Sequence, residues 1–146
     1  MPRVPATTQP KIRELGPGDA AALATLSLRL GGSETSEQWT ALLDRPRVIA
    51  LGAVEDGRIV GYAAGEVRGG FGMPGAVAWL EAFGVEVERR GAGVGRLLVA
   101  DLLERFARAG ATHAYTLVAV HDQVLAPFFR QVGFRDEPLA CLGRAL

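Results

Sequence analysis

The segment that most restricts the fold runs from residue 76 to residue 110, where "AVAWLEAFGVEV" leads through "ERRGAGVG" into "RLLVADLLERFARAG". Ala76 to Val87 is a mostly apolar run, as suits a central strand buried on both faces. After it, Val94, Leu98, Leu102 and Phe106 recur four apart, Leu97, Val99 and Leu103 widen that stripe, and Gly110 stands where a helix C-cap belongs. Between strand and helix, Gly91, Gly93 and Gly95 give up side chains at alternate positions, although each glycine costs backbone entropy and weakens the helix it enters. One glycine suffices for a tight turn. Three imply a main chain that comes very close to something, and an anion lying on the amides of a helix N-terminus fits that need.

The flanking sequence sets this module in a mixed α/β order of β-α-α-β-β-β-α-β-α-β. "KIREL" alternates as a short strand, and "GPGD" then breaks it with Asp19 placed to cap a helix over Ala20 to Leu30. Ser36 caps a second helix through Leu43, which stops before Pro46. "VIALGAV" and "RIVGYAAGEVR" read as strands joined by a tight hairpin at Asp56-Gly57. A glycine-rich loop from Gly69 to Gly75 precedes the central strand. "HAYTLVAV" is a further strand, "DQVLAPFFRQV" a helix, and "PLACLGRAL" alternates like a last strand. Residues 1–10, with three prolines and two threonines, read as a loose tail, and 11–146 as a single domain.

Composition narrows the function. Lysine plus arginine equals aspartate plus glutamate at 16 each, so no global field draws nucleic acid or an anionic membrane, and an anion site must be built locally. The single cysteine, Cys141, excludes an internal disulfide, suits a reducing cytoplasm, and reads as a core filler. No metal cluster is expected, and no apolar run reaches the 18 or so residues of a spanning helix. A cytoplasmic protein is expected, with self-association into a homodimer left open.

Two familiar phosphate loops do not fit. A Walker loop needs Lys and then Ser or Thr after its last glycine, and the chain has Gly95-Arg96-Leu97. A dinucleotide fingerprint needs glycine at position 96 and belongs to the first strand of a βαβ unit. What remains is Arg90-x-x-Gly93-x-Gly95, where bare amides and the helix dipole can hold a pyrophosphate and Arg90 or Arg96 can add charge at the rim.

"FGVEVERRGAGVGRLL" resembles the acyl-CoA-binding motif of the GNAT superfamily of N-acetyltransferases, in which strand four ends in a valine five residues before R/Q-x-x-G-x-G/A, as Val85 stands before Arg90. "IRELGPGDAAAL", "AVEDGRIVGYA" and "FFRQVGF" are similar to other parts of that family. The resemblance implies a central mixed, mostly antiparallel sheet splayed between strands four and five and flanked by about four helices. It implies that acetyl-CoA is the cosubstrate, with its pyrophosphate on the amides of Gly91, Ala92, Gly93, Val94, Gly95 and Arg96, and its pantetheine arm paired to the main chain of Phe83 and Val85. The reaction implied is direct attack of a primary amine, of a small molecule or peptide, on the thioester in a ternary complex, with the Val85 amide offered to the oxyanion. A CoA-binding module without turnover is the alternative.

Many relatives carry an asparagine seven residues before a tyrosine, the usual acid; here those positions are Asp122 and Phe129. Both are expected on the cofactor side, Asp122 also as an N-cap of the last helix and Phe129 as apolar contact beside the thioester. Glu81 is the only charge inside the strand core from Ala76 to Val85. A carboxylate there needs water or a partner, so it is either the general base or half of an ion pair with an arginine on a neighbouring strand. His121, at the end of the fifth strand, has the pKa for proton work, or is a solvated loop residue. Phe71, Trp79, Phe128 and Phe129 either wall an acceptor pocket or belong to the core.

Overall fold

The computed structural model of the chain describes residues 9–69, 72–73 and 75–146. Eight of the ten residues of the expected N-terminal tail, and Phe71 of the glycine-rich loop, lie outside the described residues. Five strands, β1 (Lys11–Glu14), β2 (Val48–Glu55), β3 (Arg58–Arg68), β4 (Val77–Val85) and β5 (His113–Thr116), form one sheet in sequential order. The first four pair antiparallel, and β5 joins β4 in parallel after a crossover. The helices are α1 (Ala20–Arg29), α2 (Ser36–Leu43), α3 (Val94–Arg108) and α4 (Leu125–Gln131), with short 3-10 turns at Pro17–Asp19 and Val87–Arg89.

Local chemistry accounts for these boundaries. The β2–β3 hairpin turns through Asp56 (φ 51°) and Gly57 (φ 74°), two successive left-handed residues whose twist matches the strands they join. Thr35 caps α2, one residue before the expected Ser36: its hydroxyl accepts from the Gln38 amide at 3.2 Å while the Gln38 side chain accepts from the Thr35 amide at 2.8 Å. Asp19 stands at the start of α1, but its carboxylate serves Arg13 and the Gly16 amide rather than the helix.

Each face of the sheet holds its own apolar cluster. On one, Val94, Leu98, Leu102 and Phe106 of α3, the four predicted by periodicity, pack with Val60, Ala63, Ala78, Leu80 and Val85. On the other, Leu23 and Leu26 of α1 and Trp39 of α2 enclose Ile59 and Tyr62. α4 adds Phe129 to the first cluster.

Two expectations about strands are corrected. The strand read over 113–120 ends at Thr116, beyond which Leu117 and Val120 are 70% and 90% exposed. The alternating tail "PLACLGRAL" forms no strand: alternation alone supplies no partner, and the sheet ends at β5, which is only four residues long. Cys141 on that tail is accordingly exposed and fills no core.

Candidate active site

The site is built where β4 and β5 part. Their pairing ends at Leu80 and Thr116, and the Thr116 hydroxyl closes the ladder by donating to the Leu80 carbonyl at 3.0 Å. β4 then runs on to Val85 with no strand on that side. Against β3, Ala64 faces Ala82 while Gly65 faces Leu80, so Glu81 is the extra residue of a β-bulge. The bulge changes the parity of the strand. Ala78 and Leu80 before it, and Phe83 and Val85 after it, all face α3, whereas Ala82 joins the cluster under α1 and α2. The same shift decides which main-chain groups are free. The Glu86 amide bonds back to Val60 of β3 at 2.9 Å, so alternation turns the main-chain groups of Phe83 and Val85 to the open edge. Arg90 Nε, 3.3 Å from the Val85 carbonyl, lies on that edge.

At the end of the edge is the glycine loop. Gly91 (φ 81°) and Gly93 (φ 84°) are both left-handed, and an added Cβ at either would meet no atom within 4 Å. Among the described residues, the amides of 91–96 donate to no backbone acceptor, and the first that does is Leu97, to the Gly93 carbonyl at 3.0 Å. Six amides without a backbone acceptor therefore stand together at the positive end of a 15-residue helix. Arg89 is turned away in a two-pronged pair with Glu55 at 2.7 and 2.9 Å, while Arg96 has no acidic partner among the described residues. This cradle fits a diphosphate.

A cavity of about 820 Å³ joins the cradle to the open edge. Of the residues expected to hold the cofactor, Phe83, Val85, Arg90, Gly91 and Gly93 line it, as do Val94, Gly95, Arg96 and Asp122. Ala92 belongs to the loop but not to the cavity wall. Phe129 is placed elsewhere: it is 4% exposed, in edge-to-face contact with Phe83, Phe128 and Phe134, and the wall is formed instead by its neighbour Phe128, stacked on Phe83 at 4.9 Å. His121 is exposed and lines neither this cavity nor the one described below. Trp79 packs on Tyr115 at 5.3 Å, away from both.

Asp122 closes the turn that leads into the last helix, two residues ahead of Val124, which holds the N-cap position itself. Its Oδ1 accepts from the amides of Val124 (2.9 Å) and Leu125 (2.7 Å), and these bonds hold its carboxyl below the usual carboxylate range. A group whose pKa is lower in the folded state stabilises it above the unfolded pKa and loses that effect as pH falls through the folded value. Asp122→Ala is therefore expected to lower Tm near neutrality, with the gap to wild type closing in acid. Asp122→Asn, which keeps an acceptor, should stay close to wild type near neutrality. Thermal melts from about pH 7 to about pH 3 check this; a gap that does not narrow in acid would exclude the cap as its cause.

A second cavity of about 260 Å³ lies beyond the bulge, lined by Glu34, Gln38, Trp39, Leu42, Tyr62, Glu81, Ala82 and Phe83. The Glu81 side chain is 26% exposed and pairs with Arg68 and, at 3.5 Å, with Arg45; the same two arginines reach Glu66 at 3.3 and 3.4 Å. Glu81 is thus both a paired carboxylate and a cavity wall. Three residues, Glu34, Tyr62 and Phe83, line both cavities, and they mark the junction between the two.

Sequence reasoning did not find that junction. Ser27, 2% exposed, gives its hydroxyl proton to Glu34, which that bond holds below the usual carboxylate range. It also missed Glu86, whose carboxylate is 3% exposed and paired with Arg29 (3.0 Å) and Arg58, tying α1 and β3 to the end of β4. Neither contact has a local sequence signal, since the partners come from other elements.

The loop amides, the open edge of β4 and the smaller, carboxylate-lined cavity thus adjoin one another, with Phe83 lining both cavities. Residues 22–134 match the family described as Acetyltransferase (GNAT) family. The "Aminoglycoside N(6')-acetyltransferase type 1" of Stenotrophomonas maltophilia is 32% identical, over 87% of each chain. Among solved structures, aminoglycoside N-acetyltransferase AAC(6')-Iy in complex with CoA aligns with a TM-score of 0.84 at 19% identity, over 97% of this chain and 98% of that one. A putative acetyltransferase from Agrobacterium tumefaciens str. C58 aligns with a TM-score of 0.79 at 23% identity, over 92% and 99%. The chain belongs to the GNAT acetyltransferase family. It is an acetyltransferase, with acetyl-CoA as cosubstrate. No helix of the described residues is long and apolar enough to cross a membrane.

Proposed function

We propose that the chain transfers the acetyl group of acetyl-CoA to a primary amine of an aminoglycoside, by direct attack of that amine in a ternary complex. The observation that carries this reading is the meeting of the two cavities at the open edge of β4. A donor whose diphosphate lies on the amides of 91–96 and whose arm follows Phe83 and Val85 delivers its thioester to the junction. The acceptor side presents two carboxylates, Glu34 and Glu81, a lining suited to an acceptor with several ammonium groups. The name of the 32% identical relative supports the same acceptor class.

In this reading Glu81 takes the proton of the attacking ammonium through water, and a free main-chain N–H on β4 receives the oxyanion. Acetyl-CoA-dependent release of free CoA thiol, measured across aminoglycosides, polyamines, amino acids and peptides, tests it. Turnover is expected with aminoglycosides carrying a 6′-amine. Turnover confined to another class would overturn the acceptor, and tight acetyl-CoA binding with no turnover on any amine would replace the enzyme by a binding module.

A further inference from the structure

We propose that Tyr62 is the acid of this acyl transfer, giving its phenolic proton to the leaving sulfur, with Ser27 and Glu34 as positioning residues. The proposal rests on the amine-acetylation reading and adds to it the proton donor that Phe129 cannot be. The chain has two tyrosines. Tyr115 lies in the paired part of β5, against Trp79 and His113, and lines neither cavity. Tyr62 lines both.

Its position follows from the sheet register. Tyr62 of β3 faces Gly84 of β4, and a Cβ on Gly84 would lie 2.8 Å from both Oη and Cζ of the tyrosine. Because that Cβ is missing, the phenol ring lies across β4 and carries its oxygen toward the strand whose far edge is open. Trp39 holds the ring edge-on at 5.1 Å, and the residue is only 6% exposed. A second glycine makes room for the support: a Cβ on Gly32 would come within 2.5 Å of Glu34 Oε2. Three elements thus converge on one hydroxyl.

The surroundings suit a donor rather than a base. Burial pushes the Tyr62 phenol above its ordinary pKa and the Glu34 charge adds to this, while the neighbouring Ser27 hydroxyl pulls part of it back. Glu34 is the charge that faces it from the loop after α1. Glu81 of β4, across the smaller cavity, is engaged with Arg68 and Arg45; α2 brings Gln38, Trp39 and Leu42, none of them charged. Farther along the larger cavity Arg89 is held by Glu55, Arg90 lies against the Val85 carbonyl, and Asp122 is spent on its cap. Tyr62 therefore keeps its proton through the neutral range.

The step balances. The neutral acceptor nitrogen forms the C–N bond, the C–S bond breaks, and the sulfur takes the Tyr62 proton to leave as thiol. The phenolate, stabilised when the Ser27 hydroxyl turns to it from Glu34, recovers the proton that the acceptor nitrogen sheds after attack. Tyr62 ends as it began, and the proton that Glu81 took from the ammonium passes to water.

Tyr62→Phe should lower kcat about a hundredfold while KM for acetyl-CoA stays within about twofold, a split that a loosened fold would not give. As a second test, Tyr115→Phe leaves Tyr62 as the only tyrosine, so biosynthetic replacement of tyrosine by fluorotyrosine alters that phenol alone. Because fluorination lowers a phenol's pKa, the basic limb of kcat should move to lower pH. This decides the matter even if the Phe variant folds poorly. The proposal is overturned if Tyr62→Phe keeps kcat within about threefold, or if the basic limb of the fluorotyrosine protein does not move. Either failure leaves wild-type turnover on the amine intact, whereas loss of the amine reading appears as wild type binding acetyl-CoA and acetylating nothing.

Discussion

Gly93→Val is expected to weaken acetyl-CoA binding at least a hundredfold, about 2.7 kcal/mol, in a protein that still melts cooperatively. Both halves of that result follow from the loop. An added Cβ at Gly93 touches nothing within 4 Å, so the substitution does not push against the core, and it adds bulk to a residue that lines the cavity beside the free amides. The conformational cost is separate. With φ at 84°, an L residue pays about 1–2 kcal/mol, and a β-branched one more, which lowers Tm by several degrees without approaching the roughly 5–15 kcal/mol of a typical domain. Gly95 is the informative contrast. Its φ is ordinary, but a Cβ there would lie 2.9 Å from the Phe83 ring and 3.2 Å from the Phe128 ring, so Gly95→Ala damages packing first and binding second. Calorimetry on folded Gly93→Val is the measurement. Micromolar binding that persisted in it would show that the loop does not hold the diphosphate.

The sequence speaks for this loop because everything it needs is local: a strand, three glycines and a helix stripe lie within 35 consecutive residues. The same holds for the hairpin at Asp56-Gly57 and the cap at Asp122, each a short-range arrangement of turn residues. What depends on a partner strand was not legible. The bulge at Glu81 exists only in register with Ala64 and Gly65, and without it the open edge would be assigned to the wrong residues. Phe129 shows the limit of reading by motif position: one residue along α4 separates a side chain in the core from Phe128 on the cavity wall. Glu86 shows the limit of composition, since nothing in "VEVERR" sets one glutamate apart from the other, yet Glu86 is buried between arginines 57 and 28 residues away. The final alternation "PLACLGRAL" fails for the opposite reason, having the pattern of a strand but pairing with neither edge of the sheet.

Glu81→Gln carries the second large effect, a fall in kcat on the order of a hundredfold or more, with acetyl-CoA affinity nearly unchanged. The two readings of Glu81 that the sequence left open coexist in the structure, because the carboxylate pairs with Arg68 and Arg45 and also walls the acceptor cavity. They differ in what the amide would cost. As an ion-pair partner, Glu81 is replaceable: it is partly exposed, Glu66 offers the same two arginines a second carboxylate, and pairs of this kind contribute about 1 kcal/mol or less. Glutamine would then leave turnover nearly intact and shift only Tm. As the base, Glu81 is not replaceable by a group that cannot accept a proton, since an alkyl ammonium with a pKa of roughly 10 must lose its proton before nitrogen can attack. The bulge favours this role, because it turns Glu81 together with Ala82 toward the α2 side, where the acceptor cavity lies. In the variant, the acidic limb of the kcat profile should change along with the rate. Full turnover in a folded Glu81→Gln protein would return the residue to the arginine cluster and require the acceptor's proton to leave by another route, for which Glu34, the other carboxylate lining the smaller cavity, is the candidate.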